Sequence, residues 1–284
     1  MHHDIDQLRR FYYQRALGRV VQRILRDRLT ERWAPAATTG MNVAGYGFAA
    51  PLLRPYLAHA RRVTALMPGQ QGVMAWPAGL PNHSVLCDET AWPVETGSID
   101  RLVMLHGIEG SEHPRQLLAE AWRCLGPGGR VMVMVPNRAG LWAASERTPF
   151  GSGRSYTAGQ IETQMRHAGF QPEWHGSAVY IPPSDRRFWL RSAQFWERTG
   201  LRISRVLIAG VVLVELAKQS RAPVGPGLKI RVPSAREILD GVARPLPGRA
   251  APASRAGHPG LVHARPDPGS TMAGRGESPA GKRG

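Results

Sequence analysis

The 284-residue sequence predicts a doubly wound α/β domain. Three observations point there. Short apolar runs alternate with segments of helical period, a glycine turn follows the first of those runs, and a sharp Gly126-Pro-Gly-Gly129 turn separates a helix from the next buried strand. Strands separated by crossover helices imply a parallel sheet covered on both faces.

Residues 4–32 have helical period, with Leu8, Phe11, Tyr12, Ala16, Val20, Ile24 and Leu29 recurring at three- to four-residue spacing among arginines, and Gly18 is a candidate break. Such a basic amphipathic segment either packs on its own domain or meets a membrane or partner. From residue 40 strands and helices alternate. Met41–Ala44 reads as a strand, 48–58 as a helix, and Arg62–Met67 as a strand ending at Pro68-Gly69. Ser84–Cys87 and Ile99–Leu105 are the next strands; the helix 113–124 opens with Pro114 in its first turn, and Arg130–Val135 is the following strand. An irregular loop over 137–156 leads to a helix near 157–168 and a strand near 174–181. A helix over 184–199 then precedes the apolar strand 206–217. The last two strands complete the sheet edge in an order that periodicity leaves open. The predicted organisation is a helical extension (1–33), an α/β domain (34–219) and a disordered basic tail rich in Pro, Gly and Arg (220–284), with one short helix at 233–242.

Composition narrows the function classes. Thirty-seven Lys and Arg against 21 Asp and Glu give a net charge of +16, which suits nucleic acid, anionic lipid or an acidic partner, or reflects a general arginine bias on a solvated surface. Cys87 and Cys124 lie in apolar stretches without Cys/His clustering, so buried free thiols are expected and no metal. The apolar run 206–217 is about twelve residues long, contains Glu215 and is too short to span a bilayer. The polar N-terminus carries no signal-peptide core. A soluble, cytoplasmic protein is expected.

Two pieces carry a resemblance. One is VAGYGFA at 43–49, between a strand and a helix. The other is the stretch from Val85 to Asn137, with Asp88 after the third strand, GSID (97–100) entering the fourth, Glu109 beyond its end, and the Pro-Gly-Gly turn into the fifth. Over roughly residues 30–218 the chain resembles the small class I S-adenosylmethionine-dependent methyltransferases. The resemblance implies a Rossmann-like, mostly parallel seven-stranded sheet and S-adenosyl-L-methionine as cofactor. In such sheets ligands lie beyond the carboxyl ends of the strands, where strand order reverses. It places Gly45, Tyr46 and Gly47 against the cofactor, which bulkier residues at 45 would exclude. Asp88, with Glu89 beside it, falls at the adenine, and His106 and Glu109 at the reacting centre. His106 is then a base for the methyl acceptor, or a strand cap bonded to backbone. Trp142, Arg147, Arg154 and Tyr156 in the 137–156 loop become a substrate lid for a small-molecule or nucleotide-like anion; an ordinary surface loop is the competing reading.

The pattern departs from the family at three places. Val43 replaces an acid, Ala49 stands at the third glycine position, and Met67 takes the place of the acid that meets the ribose hydroxyls. Losing two charged hydrogen bonds, at about 1.5–3 kcal/mol each, weakens binding by about two to four decades. Gln70 and Gln71 carry acceptor oxygens able to substitute, or are plain turn residues. Three functions follow: a working methyltransferase, a catalytically silent binding or regulatory module, and a scaffold whose basic extensions bind nucleic acid.

Overall fold

A computed structural model of the chain describes residues 4–203 and 209–219. The predicted tail over 220–284, with its short helix, lies outside the described residues. The N-terminal helices are α1 (Ile5–Arg9) and α2 (Ala16–Arg32), joined by one π turn (Arg10–Gln14). Then follow β1 (Asn42–Gly47), α3 (Ala50–Leu53), β2 (Arg62–Pro68), β3 (Ser84–Cys87), β4 (Ile99–Leu105), α4 (Pro114–Cys124) and β5 (Leu125–Pro136). The chain continues through α5 (Ala158–His167), β6 (Phe170–Ala178), α6 (Arg187–Arg191), α7 (Ala193–Ile203) and β7 (Val211–Lys218).

The seven strands form one sheet in the order β3-β2-β1-β4-β5-β7-β6. β1 to β5 pair in parallel, whereas β7 is antiparallel to both β5 and β6. The predicted α/β class and seven-stranded sheet are therefore observed. Alternate residues of each strand enter two separate cores, as the two-residue period of a sheet demands. Val43, Ala65, Val103, Met132 and Leu213 pack against α2 and α3 on one face. Ala44, Leu66, Leu102, Val131 and Val212 pack against α4 and α5 on the other.

Several elements differ from their sequence expectation for identifiable reasons. The N-terminal break comes at Arg15, whose backbone is extended, and not at Gly18. The preceding π turn spends an extra residue per turn and shifts the buried stripe by one, so that Leu17 and Val21 are buried in place of Ala16 and Val20. The helix predicted over 48–58 shrinks to α3 and a 3₁₀ turn (Arg54–Tyr56), because Pro55 removes a helical donor and crowds the carbonyl four residues back. The β7 position between β5 and β6 comes from tertiary pairing, which periodicity does not encode. Amphipathic α2 packs on its own sheet, burying Leu17, Val21, Leu25 and Leu29. Among the described residues no helix is long and apolar enough to cross a membrane.

Both cysteines are buried and free. Burial pushes the Cys87 thiol up to about 12 and the Cys124 thiol up to about 11, from an ordinary value of 9.0. Neither is expected to react with a thiol reagent at pH 8 until the protein is unfolded, when both react. The unfolded chain ionises them first, so their contribution to stability is intact below pH 9.0 and lost as pH rises toward the folded values. Rapid labelling of the native protein would contradict this packing.

Candidate functional site

Strand order reverses between β1 and β4, and Gly47, His106 and Glu109 lie at or just beyond the carboxyl ends of these strands. Gly47 ends β1 with φ +76°, and a Cβ there would lie 2.4 Å from the Leu105 carbonyl oxygen and 2.9 Å from the Gly107 nitrogen. Only glycine allows the two strand ends to cross so closely. Gly45 has a different duty from the one expected. A Cβ there would meet Ala49 Cβ at 2.7 Å and the Leu53 side chain at 2.8 Å, so it seats α3 on the strand. A bulkier residue at 45 therefore perturbs the fold itself.

Tyr46 points to the opposite face and stacks on Trp92 with ring centroids 4.7 Å apart. At the end of β2, Met67 is fully buried, and its sulfur receives the Met74 N–H at 3.4 Å. Gln71 follows, also buried; its side-chain amide donates to the His106 carbonyl, and its own backbone carbonyl accepts from Ile5 N–H at 2.7 Å. Beyond β3, Asp88 is exposed and accepts from the Thr90 N–H and hydroxyl at 2.7 Å each, which hold its carboxyl below the usual range. Glu89 is buried and committed to the protein. It accepts from Ser111 Oγ at 3.0 Å and from the His113 N–H at 2.5 Å, anchoring the start of α4.

His106 follows β4 in a left-handed conformation (φ 52°), a strained geometry for a residue with a side chain and one concentrated at functional sites. Its ring is enclosed. Nε2 lies 2.7 Å from the Tyr12 hydroxyl, Nδ1 lies 3.5 Å from Glu109 Oε1, and the Phe150 ring is 4.8 Å away. Burial, reinforced by the Glu109 charge, raises the Tyr12 hydroxyl well above its ordinary pKa, so it keeps its proton and can donate to Nε2. The Glu109 carboxylate favours a proton on Nδ1. Both contacts suit a ring that carries its proton on Nδ1 and accepts at Nε2.

The 137–156 loop divides. Trp142 is a core residue: it is fully buried, packs edge-on against Phe150, and donates its indole N–H to the Ile181 carbonyl at 2.6 Å. Its size and apolar surface were better used by the core than by a lid. Arg147 is exposed, and its carbonyl accepts from Arg15 at 2.7 Å. Arg154 and Tyr156 do reach the His106 cluster. Arg154 N–H donates to the Glu109 carbonyl at 3.0 Å. Burial, then the Glu109 charge, raises the Tyr156 hydroxyl, against the opposing Arg154 charge and hydrogen bond.

Tyr12 is the residue sequence reasoning missed. It was read as one position of a helical stripe, yet it lies at the point of strand reversal, stacked on Phe48 (5.5 Å) and bonded to His106. The available signal was chemical: a fully buried tyrosine hydroxyl needs a partner, and a run of Phe11, Tyr12 and Tyr13 among arginines is unusual.

The fit to S-adenosylmethionine can be tested on unsatisfied hydrogen bonding. Five buried side-chain polar atoms lack a hydrogen-bond partner among the described residues; Gln71 Oε1 and Glu109 Oε1 belong to the His106 cluster, the latter 3.5 Å from His106 Nδ1, whereas Tyr46 OH and Trp92 Nε1 lie in the core on the other face of the sheet. Each such atom costs about 1–3 kcal/mol. Gln71 Oε1, a few positions beyond Met67, is a buried acceptor available to a ligand bearing hydroxyl groups. The chain therefore fits the cofactor in polar capacity, while Tyr12 and Phe48 fill space at the same strand ends.

Comparison with known proteins agrees with this architecture. The profile of a family described as "Methyltransferase domain" matches residues 31–173. No curated protein matches. Among solved structures, an S-adenosylmethionine-dependent methyltransferase from Aquifex aeolicus aligns with a TM-score of 0.51 at 14% identity, covering 76% of this chain and 99% of that one. The [4+2]-cyclase SpnF aligns at 0.50 with 18% identity, covering 71% and 82%. At such identities the likeness is one of fold, and the family match, reaching across half of the chain and over the strands that reverse, carries the assignment: the protein belongs to the methyltransferase domain family, whose class I members take S-adenosyl-L-methionine as cofactor.

Proposed function

We propose that the chain is an S-adenosylmethionine-dependent methyltransferase acting on a small-molecule or nucleotide-like acceptor that carries an anionic group. The observation that carries this reading is the cluster at the strand-reversal end of the sheet, where left-handed His106 stands against Glu109 and Gln71 keeps a buried acceptor without a partner among the described residues. When bound, the cofactor supplies an electrophilic methyl group on a sulfonium sulfur. Backbone at Gly45, Tyr46 and Gly47, the Gln71 acceptor, and Asp88 with Glu89 behind it would hold it, with Met67 as an apolar floor.

The remaining roles belong to this chain's own groups. His106 accepts the acceptor's proton at Nε2 once Tyr12 gives up that hydrogen bond, and Glu109 holds the ring through Nδ1–H. Enclosure by Phe150 and Tyr12 keeps water from His106. Arg154, beside Tyr156, faces the acceptor's anion, and exposed Arg147 extends the positive rim.

Calorimetric titration with S-adenosylmethionine and S-adenosylhomocysteine tests the proposal. Micromolar binding is expected, and no binding at millimolar ligand would overturn it. Gln71→Leu is expected to weaken binding about tenfold, the loss of one buried hydrogen bond. Unchanged affinity in Gln71→Leu would remove Gln71 from the site.

A second reading has its own support. Met67 offers no acceptor to a ribose, and Tyr12 already satisfies His106 from within, as in a silent module whose site is closed by its own N-terminus. The fold does not decide between them, since one neighbour is a cyclase.

A further inference from the structure

The α6–α7 segment presents an outer face that the described residues leave exposed. Its hydrogen bonding runs on across Ser192: Ser192 N–H donates to the Phe188 carbonyl at 3.0 Å and Trp196 N–H to the Ser192 carbonyl at 3.1 Å. The two short helices thus share one set of faces, with about 100° of rotation per residue. Inward, Ala193 and Glu197 are buried and Leu190 packs against the core. Outward, Phe188 and Phe195 are 64% and 61% exposed, and being seven residues apart they form one ridge.

The flanks of this ridge differ in chemistry. On one side stand Trp189 and Trp196, half-buried, with ring centroids 5.3 Å apart and each in edge contact with the neighbouring phenylalanine. On the other stand exposed Arg191 and Arg198, with Arg187 near the helix start. The acids nearby are few: Glu197 is buried beneath, accepting from the Tyr180 N–H at 2.6 Å, Asp185 is engaged by Arg15 at 2.6 Å, and Asp27 of α2 shares a groove with Arg191.

We propose that this face is a docking surface for an anionic phospholipid bilayer. An apolar phenylalanine ridge enters the acyl boundary, tryptophans settle at the wet-to-apolar interface, and arginines meet lipid phosphates. Charge complementarity selects this occupant. The chain's own residues 220–284 carry eleven Lys and Arg against four Asp and Glu, a charge that does not complement the arginine flank. Stacking on nucleic-acid bases fits less well, because the two phenylalanines stand about 10 Å apart along the helix, well beyond the spacing of consecutive bases. The segment is too short and too charged to span the bilayer, so attachment is peripheral and reversible.

The test is sedimentation of the full-length chain with vesicles of phosphatidylcholine alone or mixed with phosphatidylglycerol. The parent chain is expected to prefer the mixed vesicles. Phe188→Ser with Phe195→Ser should lower partitioning about tenfold or more, the scale of exposing two large apolar side chains, with the melting temperature unchanged. Arg191→Gln with Arg198→Gln should remove the preference for phosphatidylglycerol while keeping the weak affinity for phosphatidylcholine. Unchanged partitioning of the phenylalanine variant would overturn the proposal, because charge elsewhere on the chain would then carry all the binding. So would vesicle indifference of the parent chain combined with phenylalanine-dependent binding of a single-stranded oligonucleotide, or with phenylalanine-dependent dimerisation.

Discussion

Gly47→Ala is expected to lower S-adenosylmethionine affinity at least about a hundredfold and to destabilise the fold by about 2–4 kcal/mol. Two penalties combine. A left-handed backbone costs a non-glycine residue about 1–2 kcal/mol. The new methyl also lies 2.4 Å from the Leu105 carbonyl oxygen, a backbone atom that moves only if β4 moves. That displacement reaches His106, the next residue but none after Leu105, so binding suffers more than stability. Gly79→Ala supplies the control: φ there is +77°, but nothing lies within 4 Å of the added methyl. It is expected to show the conformational cost alone, with binding intact. If Gly47→Ala binds cofactor normally and unfolds like Gly79→Ala, the strand-reversal end of the sheet is not the cofactor site.

Glu215→Ala is expected to have the largest effect on stability. Glu215 sits in the middle of β7, paired with Met132 on one side and Trp174 on the other, and is fully buried. Its carboxylate accepts from Arg32 Nε at 2.9 Å and from a second Arg32 nitrogen, from Trp33 Nε1 at 2.8 Å, and from Arg130 at 3.4 Å. Alanine would strand the buried indole N–H and leave two guanidinium groups facing each other without the anion between them. Breaking such a buried set costs about 3–5 kcal/mol. The melting temperature should fall by roughly 6–15 °C. Glu215→Gln keeps an acceptor for Trp33 and should lose less. Denaturant unfolding of both variants measures the difference, and equal losses would mean that charge and not hydrogen bonding dominates.

Much of the sheet was legible because its strands are short, apolar and bounded by turn residues. Ser84–Cys87 and Ile99–Leu105 fall at the predicted limits, and α4 starts at the proline expected for its first turn. The site was legible where it depends on chain order: Gly47, Gln71, His106 and Glu109 all lie at strand ends that the pattern located. It was illegible where it depends on distant contact. Tyr12 reaches His106 across 94 positions, and the apolar period of its helix gives no hint of a partner. Trp142 looked like a binding residue because its loop has no period, yet the loop folds back to bury it under Phe150. Glu89 looked free beside Asp88, but the start of α4 needed a carboxylate to hold its first amide.

The place of β7 between β5 and β6 bears on how the protein is made. A ribosome delivers β6 before β7, yet among the described residues β6 pairs in the sheet with β7 alone. Until residue 218 emerges, β6 must wait beside an open β5 edge, and Arg32 and Trp33 wait for a carboxylate 182 to 183 positions downstream. Chains cut short before Val211 would therefore present two unsatisfied strand edges to one another. Such fragments should associate between molecules, while the full-length nascent chain closes its sheet in one late step.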